Sequence, residues 1–284
     1  MNEASSRKTA IDLKAAEALL APLTELVVKA GTAILAVNRR VMKVEDKPDG
    51  SPVTEADRCA DRIIGEGLER LVPEVPALSE ERIETAKPPY RGSFFLIDPL
   101  DGTKEFLAGR GEFTVNLALV TDGIPTLGII AAPAIGLLWR GLVGRGAERL
   151  TIDDGRIVGR EPIHTRPMPR LGEPWFAVVS RSHGDSRTEA LIERRPGAVR
   201  LKLGSALKFG RLAEGAADIY PRLAPTSEWD VAAGHAIVTA AGGTVTDADA
   251  RPLRFGEGRD GSFIVPAFIA WGDPSAAGAL IAGA

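Results

Sequence analysis

Apolar residues recur at helical spacing between about Ala10 and Val37, at Leu19, Leu23, Leu26, Val27, Ala30 and Ile34. That spacing predicts a first amphipathic helix, with Pro22 as a kink or a restart. The polar run Lys47-Pro48-Asp49-Gly50-Ser51-Pro52 is loop chemistry, and Thr54 behind it can cap a second helix reaching about Leu71. Phe94-Phe95-Leu96-Ile97 is a short apolar run that stops at Asp98, where Pro99 is expected to end ladder pairing. Phe113 to Val120 reads as another strand, and Asp122-Gly123 as a tight hairpin turn into Leu127 to Ala131.

The second half alternates. Trp175 to Ser180 reads as a strand, Arg187 to Arg195 and Ser205 to Glu214 as helices, and Ile219-Tyr220 as a short strand. Glu228 to Ala241 reads as a helix ended by Gly242-Gly243. Trp139, Trp175 and Trp229 are expected in the core, since large aromatics mainly serve packing. A division near residue 150, at the polar turn Asp153-Asp154-Gly155, would give an N-terminal lobe of residues 1–150 and a C-terminal lobe of residues 151–284.

Composition narrows the picture. A chain of 284 residues can bury a large core, and a formal charge of −3 offers no broad basic field for a nucleic-acid polymer. The lone Cys59 excludes an intrachain disulfide, a zinc ribbon and a redox cysteine pair. The charged N-terminus lacks the apolar stretch of a signal peptide, and no run approaches the roughly 20 apolar residues of a membrane span. A soluble cytoplasmic monomer or homodimer is expected.

The informative feature is a set of carboxylates at the edges of apolar segments: Asp57, Glu80 with Glu81, Asp98 with Asp101, and Asp230. Burying an ionised oxygen is costly unless a cation or donors replace its water. In Asp98-Pro99-Leu100-Asp101-Gly102-Thr103, a strand stops at an acid and a second acid follows three residues on. The turn would bring both carboxylates and the Leu100 carbonyl to one point, an all-oxygen set that suits Mg²⁺. Gly102 and Thr103 then open a helix whose free N–H groups can meet a phosphate. Blander readings stand beside these. Thr54 to Asp57 and Ser227 to Asp230 both have capping-box spacing, Glu80-Glu81 taken alone reads as a solvated face, and Asp98 to Thr103 as a strand followed by a capped helix.

Together, Asp49-Gly50-Ser51-Pro52-Val53-Thr54-Glu55-Ala56-Asp57, Ser79-Glu80-Glu81 and Asp98 to Phe106 resemble the inositol monophosphatase-like superfamily. Gly111-Glu112-Phe113-Thr114-Val115-Asn116 and Glu228-Trp229-Asp230-Val231-Ala232-Ala233-Gly234 complete the resemblance, in family order. Lys104-Glu105-Phe106, Gly204 to Phe209, Ala213-Glu214-Gly215 and Tyr220-Pro221-Arg222 are similar to the bacterial CysQ-type bisphosphate nucleotidases. Gly210 departs from that pattern, in which a larger residue is common.

The resemblance implies an α+β fold of alternating layers, αβαβα, with a metal site between two lobes. It makes Glu80, Asp98, the Leu100 carbonyl, Asp101 and Asp230 ligands of two or three Mg²⁺ ions, with Li⁺ as an inhibitor. Asp57 and Thr103 would orient and deprotonate the attacking water. Gly102, Thr103, Ser180 to His183, Ser205, Lys208, Arg222 and Asp230 would line the site of a small phosphorylated nucleotide. The reaction implied is hydrolysis of 3'-phosphoadenosine 5'-phosphate to AMP and phosphate, clearing a product of sulfate assimilation. Rival readings are an inositol monophosphatase or fructose-1,6-bisphosphatase on the same metal site, and a nucleotide sensor without turnover. The resemblance also admits peripheral attachment at the cytoplasmic face of the inner membrane, although no amphipathic anchor predicts it.

Overall fold

The computed structural model describes residues 10–37, 44–46, 52–86, 88–182, 184–258 and 262–277. The α-helices among these residues are α1 (Leu13–Ala36), α2 (Glu55–Leu71), α3 (Thr103–Leu107), α4 (Ser186–Glu193), α5 (Leu207–Ala213) and α6 (Glu228–Ala240). Strands β1 (Val44–Asp46) and β2 (Pro52–Thr54) form an antiparallel pair. A seven-stranded sheet follows chain order: β3 (Ala77–Ser79), β4 (Ser93–Asp101), β5 (Thr114–Thr121), β6 (Ile124–Ala132), β7 (Leu137–Leu142), β8 (Gly146–Asp153) and β9 (Arg156–Ile163). Only its β3–β4 pair is parallel. The remaining strands are β10 (Trp175–Ser180), β11 (Ala198–Leu203), β12 (Ile219–Arg222), β13 (Thr226–Ser227), β14 (Thr244–Thr246), β15 (Ile264–Val265) and β16 (Phe268–Trp271). Five of them make a second sheet in the order β11-β10-β12-β16-β14, while β13 pairs with β15.

Period-two alternation along β4 and β5 assigns the two faces of the large sheet. Phe95, Ile97, Val115, Leu117 and Leu119 pack with the buried residues of α1 and α2. Phe94, Leu96, Ala118 and Val120 face α5 and α6, whose Phe209, Val231 and Ile237 also meet the second sheet through Val178, Tyr220 and Ala270. On that sheet's far side Trp175, Ile219 and Trp271 pack against Leu191 and Ile192 of α4. The layers therefore run αβαβα, as the resemblance implied.

Three expectations about elements change. Helix α1 runs through Pro22 without a restart; Leu23, Val27, Ala30 and Ile34 are wholly buried and hold it across the missing hydrogen bond. Strand β4 does not stop at Pro99: Asp98 pairs with Asn116, a bulge takes up Pro99 and Leu100, and pairing resumes at Asp101 with Thr114. Third, α1 is long and apolar enough by composition to cross a membrane. Its charges, Lys14, Glu17, Glu25 and Lys29, interrupt the apolar run and concealed this in the sequence.

The turn at Asp153 to Gly155 closes the β8–β9 hairpin inside the large sheet, and the chain changes sheets between Ile163 and Trp175. Trp139 and Trp175 are wholly buried and Trp229 nearly so, as expected. Gly210 explains itself by position: a Cβ there would sink into the Trp139 indole, so α5 can lie this close to the large sheet only with glycine at that place.

Candidate active site

Helix α2 begins at a capping box. The Thr54 backbone N–H and hydroxyl donate to Asp57 Oδ2 at 2.8 and 2.6 Å, and Thr54 Oγ1 accepts from the Ala56 N–H at 3.1 Å. The other oxygen, Asp57 Oδ1, accepts from Thr103 Oγ1 at 3.1 Å. Capping and a chemical role are therefore open to one carboxylate, since its two oxygens face different partners. Burial raises the Asp57 pKa, outweighing the hydrogen bonds from Thr54 and Thr103 that lower it.

The bulge in β4 shapes the next part. Asp98 Oδ1 accepts from the Leu100 N–H at 3.1 Å, and the Leu100 carbonyl accepts from Thr103 Oγ1 at 3.2 Å. Gly102 holds φ at 92°, a left-handed value suited to glycine, and a Cβ there would strike Ser205 Oγ. Helix α3 is only five residues long, so what it can offer a phosphate is the few free N–H groups of its first turn.

From the opposite side, α6 brings Asp230, which closes its own capping box with Ser227 and also accepts from Thr226 Oγ1. Carboxylate oxygens of Asp98, Asp101 and Asp230 all lie within 4.8 Å of one another. Glu80 opens a 3₁₀ turn after β3 and lines the same cleft. Burial first, then repulsion from Glu80, Asp101 and Asp230, pushes the Asp98 pKa well up. Burial and Asp230 lift Asp101 to about 6, against the opposing pull of Lys208 and Arg222. Carboxylates crowded in this way fit a divalent cation, whose charge would reverse both shifts, and the cluster could hold a metal ion.

The cationic side of the cleft comes from the second sheet and α5. Lys208 is buried rather than solvated; its Nζ donates to the Ser205 carbonyl and, at 3.4 Å, to that of Leu203. Burial lowers its pKa to about 8 despite Asp101 and Asp230. Arg222 lines the same cleft, and its buried Nε has no hydrogen-bond partner among the described residues. Ser205, at φ 48°, turns its hydroxyl toward the carbonyls of Asp101 (2.9 Å) and Glu112 (2.7 Å). It ties the halves together and lines the cleft. His183 and the loop at Lys47 to Ser51 lie outside the described residues.

Several residues at the cleft escaped the sequence reading. Glu112 accepts from Arg181 at 2.8 and 2.7 Å and from the Gly204 N–H at 2.8 Å, while Glu105 accepts from Ser182 at 2.7 Å. Arg181 is thus held by a carboxylate of the first half. Asp61, one turn along α2 from Asp57, accepts from Ser79 at 2.6 Å and Arg82 at 3.0 Å, bracing the turn that presents Glu80. Glu105 and Glu112 stood within the family-like strings, and the polar Asn116 in an apolar strand was a readable signal. Asp61 was not, because its partners come from a different element.

A cleft that sets converging carboxylates beside a capped acid–hydroxyl pair and two cations is suited to hydrolysing phosphate esters. The chain belongs to the inositol monophosphatase family, whose model matches residues 15–281, and it is a phosphatase. Among curated relatives, the 3'(2'),5'-bisphosphate nucleotidase CysQ of Escherichia coli strain K12 is 38% identical over 259 residues, covering 88% of this chain and 98% of its own. The crystal structure of CysQ from Bacteroides thetaiotaomicron matches with a TM-score of 0.71 at 34% identity, covering 89% of this chain and 97% of that one. An IMPase from Thermotoga maritima matches at 0.73 with 27% identity, covering 94% and 96%.

Proposed function

We propose that this phosphatase is a Mg²⁺-dependent 3'(2'),5'-bisphosphate nucleotidase that converts 3'-phosphoadenosine 5'-phosphate and water to AMP and phosphate, serving sulfate assimilation. The observation that carries the reading is the sharing of one cleft by the carboxylate cluster and by Lys208 with Arg222. A substrate with two phosphates needs both: one phosphate at the cation site, the other at a point charge and a planar guanidinium. The similarity to CysQ supports the same substrate class.

Glu80, Asp98, Asp101, Asp230 and the Leu100 carbonyl would hold Mg²⁺. The bound ion supplies Lewis acidity, making water more acidic and neutralising charge on the phosphate and on the leaving oxygen. The chain's own residues do the rest. When Thr103 Oγ1 donates to Asp57 Oδ1, a lone pair on the hydroxyl is left for a proton of the attacking water, and Asp57 is the terminal acceptor. Its burial raises its basicity for that task. Lys208 retains one N–H after its two carbonyl bonds, and the Arg222 guanidinium lines the same cleft, for the phosphate that does not react.

Phosphate release from 3'-phosphoadenosine 5'-phosphate and from inositol 1-phosphate, with Mg²⁺, with chelator and with Li⁺, tests the proposal. Preference for the nucleotide, lost with chelator and reduced by Li⁺, is expected. Preference for the inositol ester would keep the metal site and overturn the nucleotide assignment. Arg222→Ala should impair a bisphosphate more than a monophosphate, and equal loss on both would remove Arg222 from its role.

A further inference from the structure

Asn116 lies in the middle of β5, opposite Asp98 in the ladder, and is 1% exposed. Neither its amide nitrogen nor its amide oxygen has a hydrogen-bond partner among the described residues. Buried amides without partners are rare, because their desolvation goes uncompensated. Packing does not call for an amide here either: Leu96, Ala118 and Val120 on the same face are apolar and buried, and a leucine would fill the same volume.

The amide's neighbours explain it. Thr114, two residues back on the same face, donates to Asp101 Oδ2 at 3.4 Å. Asn116 faces Asp98 across the ladder as Thr114 faces Asp101, so its side chain leaves the sheet on the same face as the Asp98 carboxylate. It therefore stands behind the converging oxygens of Asp98, Asp101 and Asp230.

We propose that Asn116 is a positioning residue of the cation site, its Nδ2–H turning to the Asp101 carboxylate when the ion is bound. This rests on the metal-dependent reading above. Partners that orient ligating side chains typically change metal affinity by about 10- to 100-fold. The amide is thus a burden to the cation-free fold and a support to the loaded one, so a single substitution should act with opposite signs in the two states.

The test uses Asn116→Leu in the full chain, with calorimetric titration of Mg²⁺ in the absence of substrate and thermal unfolding in chelator. Mg²⁺ affinity is expected to fall about tenfold or more, while the chelated variant unfolds at the same temperature as wild type or higher. Unchanged affinity would overturn the proposal, and unchanged affinity with a lower unfolding temperature would assign Asn116 to packing. Wild-type protein that binds no Mg²⁺ would overturn the metal reading itself, an outcome visible before any variant is compared. If Asn116→Leu does not fold, Asn116→Val is measured in the same two ways with the same expectations.

Discussion

Asp57 holds a helix start with one oxygen and Thr103 with the other, and the two uses can be separated by substitution. Asp57→Asn keeps an acceptor for the cap and loses the base, so turnover should fall by about 10²-fold or more. Circular dichroism and the unfolding temperature should stay close to wild type, and near-normal turnover would remove Asp57 from the proton path. A second residue-scale effect belongs to His235 on α6, which lies edge-on to Phe255 and whose burial lowers its pKa to about 4 from 6.5. Below pH 6.5 the unfolded chain binds this proton and the folded one does not. The stability from neutral His235 is therefore complete above pH 6.5 and lost as pH falls towards 4, by at most about 3 kcal/mol. The Asp98 and Asp101 shifts act with the opposite sign in metal-free protein, so the comparison must be between wild type and His235→Leu in chelator. Denaturant unfolding from pH 7 to 5 should show a shallower acid-side loss in the variant.

Between elements, the contact of α5 with the large sheet depends on Gly210 beneath Trp139. Gly210→Ala adds helix propensity yet forces a methyl group into the indole, and overpacking of this kind costs about 1–3 kcal/mol. A lowered unfolding temperature is expected, together with a raised KM because Lys208 moves with α5; a stabilised variant would show that the contact is slack. Elements with a strong local signature were legible in the sequence. The capping boxes gave the starts of α2 and α6, and Asp122-Gly123, both at positive φ, gave the β5–β6 turn. Strands β7, β8 and β9 carried no such signal. β9 is mostly exposed on both faces and alternates poorly, and β11 is largely half-buried, so period and composition say little there. The carboxylates of the site could be read because acids at the ends of apolar runs are unusual. The clamps from Glu112 to Arg181 and from Asp61 to Ser79 join residues 69 and 18 positions apart, and only the fold pairs them.

Across the whole molecule, the carboxylate cluster is the place where the two sheets' worth of chain meet: Asp98 and Asp101 come from the large sheet, Asp230 from the helix layer between the sheets. Without a cation these acids repel one another; a bound cation would cross-link the layers. Mg²⁺ at about a hundred times its Kd should therefore stabilise the fold by about 2.7 kcal/mol, raising the unfolding temperature by several degrees, and chelator should reverse the shift. An unfolding temperature indifferent to Mg²⁺ would argue against the site. The capping boxes have a further consequence, for descent. Asp57 and Asp230 serve chemistry under the proposed mechanism, and each also closes a capping box, so that losing its acceptor frays a helix start. A descendant that gave up phosphatase activity would keep a capping acceptor, aspartate or asparagine, at both positions, so an acid found there in a relative is not by itself a mark of an active enzyme. Thr103, which caps nothing, is the better position at which to look for lost catalysis.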